Sequence, residues 1–98
     1  MTVAILGGID RLMPNYEKQA KRLGLEVKMF PRRVPNLPQR LQDVSGIVVF
    51  TGTISHPLVI EAVKVARSRG IPIERSHTSS ISGLKRCLGE ISRRGRLS

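Results

Sequence analysis

At 98 residues the chain has room for one domain with a modest core, because small folds bury a smaller share of their surface. Apolar residues make up 40% and aromatics only 3%, with no tryptophan, so the core must come from Val, Ile, Leu, Ala and Met packed between layers, and no apolar run approaches the roughly 18 residues that cross a bilayer. The 17 Lys and Arg against 7 Asp and Glu leave a formal charge of +10, which favours polyanions or small anionic ligands and makes such binding weaken as salt rises.

The chain opens "MTVAILGGIDR", without the basic start of a secretory signal, so a cytoplasmic protein with no membrane partner is expected. Thr2 to Leu6 reads as a buried strand closed by a glycine turn at Gly7 and Gly8. "MPNYEKQAKRLG" then gives a helix, with Pro14 in its first turn, Tyr16, Ala20 and Leu23 on one side, and Gly24 as its stop. "LEVKMF" alternates Leu25, Val27 and Met29 with Glu26 and Lys28, a strand with one wetter face.

"PRRVPNLPQRLQDVSG" carries three prolines, which limits it to a short helix with Leu37, Leu41 and Val44 on one face. "GIVVFTG" is a second continuously apolar strand, followed by Leu58, Val59, Ala62, Val63 and Ala66 at helical spacing and a basic last turn before Gly70. "IPIERS" is the fourth strand. Ile81, Leu84, Leu88 and Ile91 mark the apolar side of a final helix, on which the single Cys87 reads as a face residue, since it has no partner for a disulfide or a metal. Much of the positive charge falls on helix surfaces, at Lys18, Lys21, Arg22, Lys64, Arg67 and Arg69. Residues 1–92 are expected to form the domain and 93–98, "RRGRLS", a frayed basic tail.

Strands alternating with helices argue for a parallel sheet covered on both faces. The first and third strands are apolar throughout and belong at the centre; the second carries Glu26 and Lys28, and the fourth Pro72, Glu74 and Arg75, as edges do. The order 2-1-3-4 satisfies this in a three-layer α/β domain, a shortened flavodoxin-like or Rossmann-like fold.

In that order a crevice opens between the carboxyl ends of the first and third strands. Three loops converge on it: Gly7, Gly8, Asp10 and Arg11; Thr51, Thr53, Ser55 and His56; and His77, Thr78, Ser79 and Ser80. Two helices begin there, one at His56 or Pro57 and one capped by Ser79 or Ser80, and their N-termini, the hydroxyls and Arg11 together describe an anion cradle. Asp10 is expected to pair with Arg11 or Arg75 or to cap the first helix. "GGIDR" is neither G-x-G-x-x-G nor a P-loop, so standard dinucleotide or P-loop binding has no support. His56 and His77 both fall on the rim, but no acid or cysteine stands at metal spacing around them, and no G-x-S-x-G elbow accompanies them. A binding module fits these residues better than an enzyme does.

"GGIDR…PNY…LGLEVKMF", "GIVVFTGTISHPLVIEAVKVARSRGIPIERSHTSS" and "LKRCL" make the chain, from Val3 to Leu88, similar to the small bacterial proteins of domain of unknown function family 2325. The motifs that carry the resemblance are GG-x-DR, T-x-T-x-SH and H-T-S-S; members often have histidine where this chain has Ile9. The resemblance implies a Rossmann-like domain and, through relatives described as dimeric haem proteins, a haem-binding alternative in which His56 or His77 would be the axial ligand. Against it, Tyr16, Phe30 and Phe50 are the only aromatics available to wall a haem pocket, unless a dimer interface supplies more.

The leading expectation is therefore a homodimeric ligand-binding or regulatory domain for a nucleotide or phosphorylated metabolite. Nonspecific nucleic-acid binding through Arg32, Arg33, Arg40, Arg93, Arg94 and Arg96 is a third reading, weakened by the lack of stacking platforms and of a recognition helix.

Overall fold

Hydrophobic burial decides which strands sit inside. β1 (Thr2–Leu6) and β3 (Gly46–Phe50), whose interiors are wholly apolar, occupy the centre of one parallel sheet, with β2 (Glu26–Phe30) and β4 (Ile73–Ser76) at its edges in the order β2-β1-β3-β4. This is the expected order. It comes from a computed structural model that describes the backbone of residues 1–97 and the side chains of residues 1–94. Val3 stands beside Val27 on one side and Gly46 on the other, and Ile47 beside Ile73.

Four α-helices alternate with the strands among the described residues: α1 (Met13–Arg22), α2 (Leu37–Arg40), α3 (His56–Arg69) and α4 (Ile81–Leu97), with a 3-10 turn at Asp10–Leu12. Because side chains of a strand alternate between faces, β1 and β3 feed two cores. Ala4, Leu6, Ile47 and Val49 pack against α2 and α3 through Leu37, Leu41, Leu58 and Ala62. Val3, Ile5, Val48 and Phe50 pack against α1 and α4 through Tyr16, Ala20, Leu84, Leu88 and Ile91. Cys87 lies in this second core, where burial pushes its thiol pKa up, so the group stays a neutral apolar filler. No described helix is long and apolar enough to cross a membrane.

The capping signals act locally as read. Gly70 ends α3 in the left-handed region at φ +65°, and the Ser80 hydroxyl accepts the N–H of Gly83 at 3.0 Å to start α4. Three expectations need correction. Leu23 is half exposed, because α1 stops at Arg22 and Leu23 turns away with its N–H on the Ala20 carbonyl. Val65, rather than Val63, completes the buried stripe of α3, one turn beyond Ala62. The segment expected as a tail from residue 93 continues α4 to Leu97, and Arg94 is held to Glu74 at 2.6 Å; the side chain of Arg96 lies outside the described residues.

α4 presses tightly on the sheet. A Cβ built on Gly46 would sit 2.5 Å from Ile91 Cγ2. Gly46→Ala is therefore expected to cost about 1–3 kcal/mol through overpacking, read as a lower urea midpoint, and an unchanged midpoint would contradict the contact.

Candidate functional site

Three loops meet at the carboxyl end of the sheet because two glycines let them approach. Gly7 and Gly8 have φ of +89° and +108°, and a Cβ on Gly7 would lie 2.5 Å from Thr53 Oγ1, while one on Gly8 would lie 2.9 Å from the Tyr16 ring. Thr53 is the hub. Its hydroxyl accepts the Gly8 N–H at 2.8 Å and donates to the Phe50 carbonyl at 3.2 Å, and Ser79 Oγ approaches it at 3.4 Å.

Tyr16 makes the second link from α1. Fully buried, its hydroxyl donates to the Ser79 carbonyl at 2.6 Å and accepts the Ile9 N–H at 3.2 Å, while its ring packs on Phe50 with centroids 5.4 Å apart. Within the β4–α4 loop, Ser76 donates to the Thr78 carbonyl, and the Thr78 and Ser80 hydroxyls bond each other at 3.2 Å. The convergence expected from the sequence is present, and the hydroxyls of Thr53, Ser79 and Ser80 are used to hold the loops to each other and to cap α4.

Open space lies on the α2/α3 side. A cleft of about 890 Å³ is bounded by residues 31–36, which follow β2, and by the start of α3. Of the expected site residues, Thr53 and Ser55 line it. Arg11, His56 and His77 are exposed outside its lining, Thr51 is half-buried, and the loop from His77 to Ser80 leads to α4 on the opposite face of the sheet. Asp10 neither caps a helix nor meets Arg11 or Arg75; its carboxylate stands 3.5 Å from Arg32, an exposed pair that water and salt screen strongly.

Arg32, Arg33, Val34 and Glu61 are cleft residues that the three-loop reading missed. The signal was "PRRVP" directly after β2, since ligands of open parallel sheets bind beyond the carboxyl ends of the strands and β2 ends on the same rim. The start of α3 offers fewer backbone donors than expected. Pro57 has no N–H, and those of Leu58 and Val59 both turn to the Ser55 carbonyl, which leaves His56 as the unpaired first-turn donor among the described residues.

The haem alternative rests on His56 and His77, which are both solvent-exposed and outside the cleft lining. Among the described residues of one protomer, neither stands in the apolar slot that a haem-ligating imidazole needs.

Residues 2–91 match the family model described as "Uncharacterized protein conserved in bacteria (DUF2325)". The chain belongs to this family. No protein with curated annotation matches it. Among solved structures, a de novo designed Rossmann fold protein is similar, with a TM-score of 0.60 at 19% identity over 94% of this chain and 97% of that one. At that identity the likeness shows the fold: a Rossmann-like α/β domain.

In this member of the family, the Tyr16 hydroxyl is the buried tie between the rim loops. Tyr16→Phe keeps the ring and strands the Ser79 carbonyl, so we expect a loss of about 1–3 kcal/mol in chemical unfolding, with the fold intact by circular dichroism. Wild-type stability in that variant would show that the loops do not depend on the bond.

Proposed function

We propose that this protein is a non-enzymatic, cytoplasmic binding or regulatory module that takes a small anionic ligand, a nucleotide or phosphorylated metabolite, into the cleft beside α3. One observation carries the reading: the adjacent residues Arg32 and Arg33 line a cleft together with Ser55, which precedes a 14-residue helix at its positive end. Guanidinium presents a planar fork of donors that matches phosphate oxygens, and the Ser55 hydroxyl adds a neutral donor beside it, whereas the Thr53 hydroxyl already donates to the Phe50 carbonyl. The chain's +10 charge raises the local concentration of anions at such a site.

The rest of the cleft suits the remainder of such a molecule. Its volume of about 890 Å³ is within the range of small-molecule sites, about 300–1,000 Å³. Val34, Ile54 and Leu58 give it apolar wall for a base or carbon skeleton, and Glu61 is an acceptor for hydroxyl or amino groups.

Thermal unfolding with ADP and with inorganic phosphate tests this. A ligand at a hundred times its dissociation constant stabilises by about 2.7 kcal/mol, a rise on the order of 10–20 °C for a domain of this size. The expected result is such a rise in the wild type at moderate salt and its loss in Arg32→Ala/Arg33→Ala. A rise that survives the double substitution, or no rise with either anion, would overturn the reading.

A further inference from the structure

The two edges of the sheet are not alike. Along β4, the carbonyl of Pro72, just before the strand, accepts the Ile47 N–H and that of Ser76 accepts the Thr51 N–H, so by alternation those of Ile73 and Arg75 point outward. Both are covered from α4: Arg94 Nη2 donates to the Ile73 carbonyl at 2.9 Å, and Arg86 Nη2 to the Arg75 carbonyl at 3.0 Å. Glu74 holds the two guanidiniums in place, with contacts of 2.6 Å to Arg94 and 3.9 Å to Arg86. This edge is closed to another strand.

At the other edge, no side chain among the described residues covers β2 in this way. The Glu26 N–H donates to Met1 and the Phe30 carbonyl accepts from Gly7, so the backbone groups of Val27 and Met29 face outward. A hollow of about 260 Å³ lies between α1 and the start of the strand, lined by Glu17, Lys21, Leu25, Glu26 and Val27. Unpaired outward N–H and C=O groups are a template for another strand.

We infer that β2 is the interface for a second copy of this chain, paired antiparallel about Val27 to make one continuous eight-stranded sheet from two four-stranded ones. The charge pattern selects both partner and register. With Val27 opposite Val27 of the second copy, their outward N–H and C=O groups exchange two hydrogen bonds, and Glu26 falls opposite Lys28 of the second copy. Two-fold symmetry repeats that pair, so both exposed charges on each strand meet their opposites on the same face of the sheet. Centring on Lys28 sets lysine against lysine, and centring on Met29 sets Lys28 against Phe30. The Val27 register alone of these three is self-complementary.

Charge reversal and its rescue test the register on the full chain. By analytical ultracentrifugation the wild type is expected to be a dimer. Glu26→Lys, which sets like charges against each other twice, should weaken the dimer by about tenfold or more, and Glu26→Lys/Lys28→Glu should restore it. Both positions are exposed, so circular dichroism should report an unchanged fold in each variant. A wild type that stays monomeric at every concentration, a dimer indifferent to Glu26→Lys, or a double variant without rescue would each overturn the assignment.

Discussion

The close approach of backbone at the carboxyl ends of β1 and β3 is the constraint on which the rim depends. Gly7 and Gly8 take positive φ and leave no room for a Cβ, and that absence brings the Gly8 N–H within reach of the Thr53 hydroxyl. Thr53 in turn meets Ser79, and Ser79 receives Tyr16, so strands β1, β3 and β4 share one chain of hydrogen bonds with α1. A single such bond contributes only about 0.5–1.5 kcal/mol net, but breaking one partner beneath the surface leaves the other unsatisfied. The glycine pair therefore does more than turn the chain.

This stitching divides the rim into a closed side and an open one. Around Thr53, Tyr16 and Ser79 the polar groups find partners inside the protein, which leaves them little to offer a ligand. Across Thr53, the segment from Pro31 to Asn36 stands away from α3 and leaves the cleft. Its backbone is constrained even so: Pro31, Pro35 and Pro38 fix three φ angles, Asn36 sits in the left-handed region at φ 57°, and Arg69 of α3 donates to the Pro38 carbonyl at 2.7 Å. A segment held in this way would lose less entropy on taking up the proposed ligand.

The fold was legible because the strands differ in polarity. Continuous apolar runs at Val3–Leu6 and Ile47–Phe50 require burial on both faces, whereas Glu26, Lys28 and Glu74 require an edge, and those requirements leave little choice of order. Side-chain pairing was less legible, because partners distant in sequence compete. Asp10 chose Arg32 over its neighbour Arg11, and Arg94 was drawn to Glu74 along a helix that the basic sequence alone read as a tail. The convergence of three loops could be read from topology, but which hydroxyls face one another depends on tenths of an ångström at Gly7 and Gly8. The arginines of "PRRVP" were visible as charge; their position beside α3 emerged only once the loop after β2 was traced.

We propose that the rim loops spend their polar groups on one another while the loop after β2 and the start of α3 receive the ligand. Amide chemical-shift mapping of the full chain, titrated with ADP, tests this most directly. Saturable shifts confined to residues 31–36 and 53–61 are expected, with the amides from His77 to Ser80 unmoved. Shifts centred on His77 to Ser80, or spread evenly over the basic surface and erased by moderate salt, would contradict it.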